Sequence, residues 1–246
     1  MLTAIMQRTT VSGLSSTMTT SLLLPNGKAP IESVAAPMVA ASDYPFRCLC
    51  RTKGTDLTFT QMIHARNLLH DASFWKNHWD LWEFKTNNKL LLPSQENLFG
   101  DSSLRLERPP VESGARGPVI VQLAGHNVET VVKAAERVLV ASEGQIAGID
   151  LNCGCPQAIA RKGRYGAFLM EDDSDVVYQI LRALRQTLPV TVAVSAKVRL
   201  PLYVADQTER IQRLCDTGIN FLTVHGRDLT ENKTTVGGVH IDRLRD

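Results

Sequence analysis

The residues best suited to chemistry lie in one block, Gly148-Ile-Asp-Leu-Asn-Cys-Gly-Cys-Pro156, followed by Gln157-Ala-Ile-Ala-Arg-Lys-Gly-Arg-Tyr-Gly-Ala167. A β-prone run entering Asn152-Cys-Gly-Cys-Pro156 sets a thiol on a turn shaped by glycine and proline. An ordinary thiol, with a pKa of about 8.5, is mostly protonated near neutrality, so it can donate a proton as well as attack as a nucleophile. Cys155 is therefore a candidate catalytic residue, with a buried structural cysteine as the competing reading. The pairs Cys48/Cys50 and Cys153/Cys155 are spaced too closely for the usual zinc pattern of roughly two to four intervening residues, so no metal site is expected. Five cysteines, an odd number in a chain long enough to fold without staples, argue for reduced thiols. Beside Cys155, Arg161, Lys162 and Arg164 form a basic loop that either holds nucleic-acid phosphates or is a solvated charged turn.

These residues need strands to carry them. Short β-prone runs at Ser33–Pro37, Asp56–Met62, Pro118–Leu123, Gly148–Leu151, Pro189–Val198 and Ile219–Val224 alternate with stretches of helical period. Val128–Val140 carries apolar residues at 128, 131, 132, 135, 138 and 139, with Asn127 as its N-cap. The period returns at Val176, Val177, Ile180, Leu181 and Leu184, and again at Ile211, Leu214 and Cys215 before Gly218, which suits a helix C′ position. Such alternation implies parallel strands joined by crossover helices, as an open sheet or a closed (β/α)8 barrel. Gln122, Asn152 to Cys155, Lys197 and His225 all fall at strand ends, and only a barrel gathers such ends at one mouth. The expected fold is therefore a (β/α)8 TIM barrel. No dinucleotide or P-loop glycine motif occurs.

The chain has 246 residues, 43% of them hydrophobic and 21% charged, which excludes disordered and fibrous classes. No apolar run approaches the ~18 residues of a membrane span. A net charge of +2 means that any nucleic-acid surface must be local. Residues 1–31 lack acidic residues and are rich in Ser and Thr, and they read as a disordered tail ahead of a catalytic domain over 32–246. One segment, 73–117, breaks the βα rhythm; its Phe74, Trp75, Trp79 and Trp82 read as a helix packed on the barrel, with a base-stacking platform as the alternative.

Ala36-Pro-Met38, Phe46-Arg47, Asp56-Leu-Thr-Phe-Thr60, Val121-Gln-Leu123, Asp150-Leu-Asn-Cys-Gly-Cys-Pro156, Lys162-Gly-Arg-Tyr-Gly-Ala167, Lys197-Val-Arg199 and Thr223-Val-His-Gly-Arg227 together resemble the tRNA-dihydrouridine synthases. The resemblance covers roughly Val34 to Lys233. Met62, His64 and Pro156-Gln157 are closest to the eukaryotic cytosolic type. It implies an enzyme that uses flavin mononucleotide (FMN), recharged by NADPH, to reduce uridine in tRNA to 5,6-dihydrouridine. By the same resemblance, Cys155 is the acid that protonates uracil C5. Pro37, Met38 and Val39 line the isoalloxazine, Gln122 bonds its pyrimidine edge, Lys197 sits near flavin N1/O2, and His225 touches the flavin. Asn152 orients the uridine or the flavin, and Arg161, Lys162 and Arg164 meet tRNA phosphates. The resemblance further implies a cytoplasmic protein, with nucleus or mitochondrion as alternatives, and a monomer when full length.

The chain departs from the family in its length. Six strands are counted instead of eight, and neither the family's phosphate-site elements nor its C-terminal helical domain is found. A truncated barrel with an open sheet edge is therefore expected, either completed by further sequence or persisting as an inactive remnant that at most binds RNA or a partner.

Overall fold

The computed structural model describes residues 3–7, 22–25, 27, 30–71, 117–231 and 238–245. Each expected β-prone run forms a strand: β2 (Val34–Ala35), β3 (Leu57–Phe59) with β4 (Ile63–His64), β5 (Val119–Ala124), β6 (Gly148–Cys153), β7 (Ala193–Arg199) and β8 (Phe221–His225). The run expected over Asp56–Met62 forms only β3, and β4 follows directly after it; the two pair with the two ends of β5. The ladder breaks because the hydroxyl of Thr60 takes the Gln122 N–H (3.1 Å), while the Gln61 side chain turns to the backbone of Ala40 (2.8 Å). The helices are α1 (Tyr44–Thr52), α2 (Ala65–His70), α3 (Val128–Ala141), α4 (Ala158–Lys162), α5 (Ala167–Asp172), α6 (Ser174–Thr187), α7 (Gln207–Cys215) and α8 (Asp242–Arg245). Asn127 caps α3, its Oδ1 accepting the Thr130 N–H at 2.9 Å, and Gly218 after α7 has φ +85°.

All strands from β2 to β8 run parallel, in the order β2-β3-β5-β6-β7-β8 with β4 also beside β5, the arrangement of a partial (β/α)8 barrel. Strand alternation divides their side chains. Val119, Val121, Leu123, Ile149, Leu151, Cys153, Val194, Ala196, Val198, Leu222 and Val224 pack with the helices, against Val131, Ala134, Ala135 and Val138 of α3 and Val177, Ile180, Leu181 and Leu184 of α6. The other face is apolar at the strand starts, where Leu57, Phe59, Ile120, Ala193 and Phe221 meet. Further along it becomes polar, through Gln122, Asp150 and Ser195 to Asn152, Lys197 and His225. Among the described residues, no helix is long and apolar enough to cross a membrane.

The expectation of a disordered tail over 1–31 is corrected where the structure describes that segment. Thr3–Gln7 forms a strand, β1, antiparallel to β8, with Thr3 opposite His225 and Gln7 opposite Phe221. Leu22 and Ile31 bridge, with Ile31 N donating to Leu22 O at 2.6 Å, and Leu22, Leu24 and Ile31 are buried against Leu57, Phe59, Ile120 and Phe221. Three apolar side chains suffice to cover the apolar end of the inner face, and the average composition of a Ser/Thr-rich segment conceals them. β1 occupies the far side of β8, so among the described strands the sheet ends at β1 and β2 rather than at β8. The tryptophan stripe and the rest of the 73–117 insertion lie outside the described residues, apart from Gly117.

Candidate active site

The turn after β6 seats Cys155. Asn152 shapes it: its Oδ1 accepts the backbone N–H of Gly154 at 3.2 Å and of Cys155 at 3.1 Å. From the far side, Ala167 N donates to Cys155 O at 3.1 Å across Gly166, whose φ of +70° only glycine adopts easily. Arg199 at the end of β7 donates through Nε to Gly154 O (2.8 Å) and through a terminal nitrogen to Asp228 O (2.7 Å) and Glu231 O (3.0 Å), so the Cys155 turn and the loop after β8 share one anchor. Cys155 is half-buried beside Ala124, Ala160, Tyr165, Met62 and Phe168. Tyr165 in turn stands edge-on to His64, with ring centroids 5.4 Å apart.

Cys153 points the other way, into the helix-side core, where burial pushes its thiol pKa upward and the Asp150 charge adds to the effect. Cys153→Ser is accordingly expected to lower stability by about 1–3 kcal/mol, the usual cost of a buried hydroxyl, while turnover stays within about tenfold. A denaturant titration beside a steady-state assay checks both. An inactive Cys153→Ser with an active Cys155→Ala would reverse the two roles.

Inside the mouth, Lys197 is 7% exposed and makes no hydrogen bond or ion pair among the described residues. Burial pulls its ammonium down to about 8, against the attraction of Asp150. Two neighbouring atoms, His225 Nδ1 and Thr223 Oγ1, are buried with no partner among the described residues, and so is His64 Nδ1. Burial, with Lys197, Arg199 and Arg227 adding positive charge, lowers His225 to about 4, so its imidazole is neutral near pH 7. Beneath them Asp150 is fully buried, its pKa raised by burial to about 6 while bonds from Ser195 and Gln122 pull it down. Gln122 is 1% exposed and held at both ends, by Asp150 and by Asn152.

The depressed Lys197 value carries a stability consequence. Between about 8 and 10.5 the unfolded chain holds a proton on this lysine that the folded chain has released, so its burial cost fades as pH rises through that window. At ~1.4 kcal/mol per unit the full cost is on the order of 3 kcal/mol. Lys197→Met is therefore expected to stabilise the ligand-free protein most below pH 8, with a gain that shrinks towards pH 10.5, read by parallel melts. An equal gain at both pH values would contradict the assignment.

Pro37, Met38 and Val39 follow β2. Their loop is fixed by Ser42, whose Oγ accepts from Met38 N (2.8 Å) and donates to Met38 O (3.0 Å), and by Gln61 on Ala40. Met38 and Val39 are exposed apolar side chains, at 37% and 62%, of the kind a planar ring covers. Arg161, Lys162 and Arg164 are exposed on and just after α4; Arg161 lies over the Phe168 ring at 4.7 Å, and Arg164 is 3.8 Å from Asp173. Gln122, Asn152, Lys197 and His225 thus share the inner face near the strand ends, the basic trio follows the Cys155 turn, and the Met38 loop follows β2. Sequence reasoning missed Asp150, Thr223, Arg199 and Gly166. The first three were open to it, because each stands two residues from a residue already singled out, on the same face of its strand. A further group, Asp228, Glu231 and His240, has the spacing of metal ligands, but Glu231 and His240 bond each other (3.0 Å) and Arg243 stands 3.8 Å from Asp228.

The dihydrouridine synthase family model matches residues 33–245. The chain belongs to that family. Among its relatives, the dihydrouridine synthases include the tRNA-dihydrouridine(16/17) synthase of Saccharomyces cerevisiae, 31% identical over 79% of this chain and 38% of its own length. The tRNA-dihydrouridine(16/17) synthase-like protein of Rattus norvegicus is 32% identical over 86% of this chain and 41% of its own. The tRNA-dihydrouridine(20a/20b) synthase of Schizosaccharomyces pombe is 30% identical over 89% and 55%. The names of all three carry NAD(P)+. The chain spans about half the length of these dihydrouridine synthases or less.

Proposed function

We propose that this chain carries the FMN-dependent, NADPH-driven reduction of uridine in tRNA to 5,6-dihydrouridine, with Cys155 as the proton donor. The observation that carries the reading is the pairing of a pinned, half-buried thiol with a mouth in which the Lys197 ammonium, Thr223 Oγ1 and His225 Nδ1 have no partner among the described residues. Buried polar atoms without partners are costly unless a ligand satisfies them. A flavin's pyrimidine edge, with acceptors at N1, O2 and O4 and a donor at N3, fits such a set. When bound, FMN supplies hydride to uracil C6. Lys197 would hold positive charge for that edge, and the second amide N–H of Gln122 would be available to it. Pro37, Met38 and Val39 cover the ring. Cys155 gives its proton to C5, Asn152 holds the turn that aims it, and Arg161, Lys162 and Arg164 hold tRNA phosphates. A uracil reaches this mouth only when extruded from its stack, as base-modifying enzymes require.

The test is incubation of the purified protein with FMN, NADPH and tRNA lacking dihydrouridine, read by flavin absorbance and by nucleoside mass spectrometry. Yellow protein that forms dihydrouridine is expected. Colourless protein that leaves tRNA unmodified would overturn the reading, and if it still retarded tRNA in a gel it would be a binding remnant.

A further inference from the structure

We propose that Asp150 is a positioning residue: its carboxylate sets the direction in which the Gln122 and Asn152 amides point, and through them it holds the Cys155 turn. The proposal rests on the reading of Cys155 as the reactive group. Asp150 touches neither Cys155 nor its turn, and it acts through two side chains, Gln122 and Asn152, that the inner face brings together.

Each link has one donor and one acceptor. Gly154 N–H and Cys155 N–H donate to Asn152 Oδ1 (3.2 and 3.1 Å), so Asn152 presents its Nδ2 to Gln122 Oε1 (2.8 Å). Gln122 must then present its Nε2 to Asp150, and does so at 2.7 Å to Oδ2. Ser195 Oγ donates to the other carboxylate oxygen at 2.6 Å. Every bond thus donates towards Asp150. An ionised carboxylate accepts on both oxygens and donates nothing, so it terminates such a chain, whereas a carboxamide in its place can turn either way. Asp150 and Ser195 are fully buried and Gln122 nearly so, which leaves no water to exchange for a lost partner. The alternatives cost less by themselves: burial strongly disfavours a charge here, and a neutral side chain would be easier to bury. What a neutral side chain would forfeit is the fixed direction. Reversal of the two amides would turn the Asn152 Nδ2 towards two backbone N–H groups, donor against donor, and open the turn.

The chain can be reversed on purpose. Asp150→Asn combined with Asn152→Asp keeps the net charge and the side-chain shapes. A carboxylate at position 152 accepts the two turn N–H groups and the Gln122 amide, whose oxygen then accepts from an amide at position 150, and Ser195 still donates. Asn152→Asp alone, by contrast, sets acceptor against acceptor along the chain, and Asp150→Asn alone can keep its contacts only if the Ser195 hydroxyl turns to accept, so that nothing fixes the direction any longer. The readout is the alkylation of Cys155 by iodoacetamide against pH in the purified protein, followed by mass spectrometry of its peptide, with melting temperature alongside. Each single variant is expected to raise the high-pH plateau rate at least about fivefold, by loosening the turn, or to lower the melting temperature; the double variant is expected to return both to within about twofold of the parent. If a single variant fails to fold, recovery of folding in the double is the same result. A double variant as disturbed as the singles would overturn the proposal. So would single variants whose titration midpoint shifts at an unchanged plateau, because that is the mark of charge acting directly on the thiol. Neither readout needs flavin, NADPH or tRNA, so a protein that forms no dihydrouridine counts against the proposed function alone.

Discussion

Replacing Cys155 with alanine is expected to cut dihydrouridine formation by ~10²–10⁴, the usual worth of a well-placed general acid, while bound flavin and its reduction by NADPH persist. The separation follows from where the side chain sits. Cys155 is on the turn outside the strand, packed against Tyr165 and Ala160, whereas the atoms assigned to the flavin belong to strands β5, β7 and β8 and to the Met38 loop. Removing a thiol from the turn therefore leaves the inner face as it was. Flavin absorbance and its bleaching by NADPH measure the half that should survive, and dihydrouridine per tRNA measures the half that should be lost. Near-normal product would remove Cys155 from its role.

Gly166→Ala is expected to be nearly as damaging to turnover, and unlike Cys155→Ala it should also destabilise the fold. At φ +70° and ψ −143° the backbone occupies a region held almost only by glycine, which costs another residue on the order of 1–3 kcal/mol. The added methyl would lie 2.7 Å from Cys155 O, 2.9 Å from Cys155 Cβ and 3.1 Å from Cys155 N, none of which is the far end of a flexible side chain. Either the turn carrying the thiol moves or the helix behind it does. A stability loss of about 2–4 kcal/mol is expected, with a drop in dihydrouridine formation of at least ~10². Gly144→Ala is the control: its φ is +72°, but no atom lies within 4 Å of the added methyl, so its cost is that of the backbone alone. Equal losses in the two variants would show that the contact with Cys155 carries nothing.

The polar face of this fold was legible because strands have a period of two. Gln122, Lys197 and His225 each stand near the end of an apolar run, and a parallel sheet carries such ends to one side. Helices α3, α6 and α7 were legible from periodicity, and for α3 the N-cap as well. The helices α1, α2, α4 and α5 were not: five or six residues in α2, α4 and α5 cannot establish a period, and α1 buries Tyr44, Arg47 and Arg51 instead of an apolar stripe; Asp43 Oδ1, which accepts the Phe46 N–H at 3.1 Å, was the clearest local signal for α1. Residues 22–31 misled because composition averages over positions, while Leu22, Leu24 and Ile31 act individually against the inner face. Within the site, the thiol and the lysine announced themselves by type and place. Asp150 could be placed on the same strand face by its spacing from Asn152, but not its burial, because a carboxylate in a strand reads as exposed until its partners Ser195 and Gln122 are seen closing over it.

The order of partners in the sheet is also the order of synthesis. From β2 to β8 the strands are added to one side of the sheet in the order in which they are made, with β3 and β4 both pairing with β5, so a nascent chain can extend the parallel sheet as it leaves the ribosome. β1 behaves otherwise: it is translated before β2 to β8, yet its partner Phe221–His225 is made after β2 to β7. It must wait until β2 to β8 have been made and then join in the opposite sense. A bulky amino-terminal fusion should for this reason spare the parallel strands and the Cys155 turn, and obstruct only the final pairing, leaving soluble protein whose β8 amides exchange with solvent faster than those of β6 and β7.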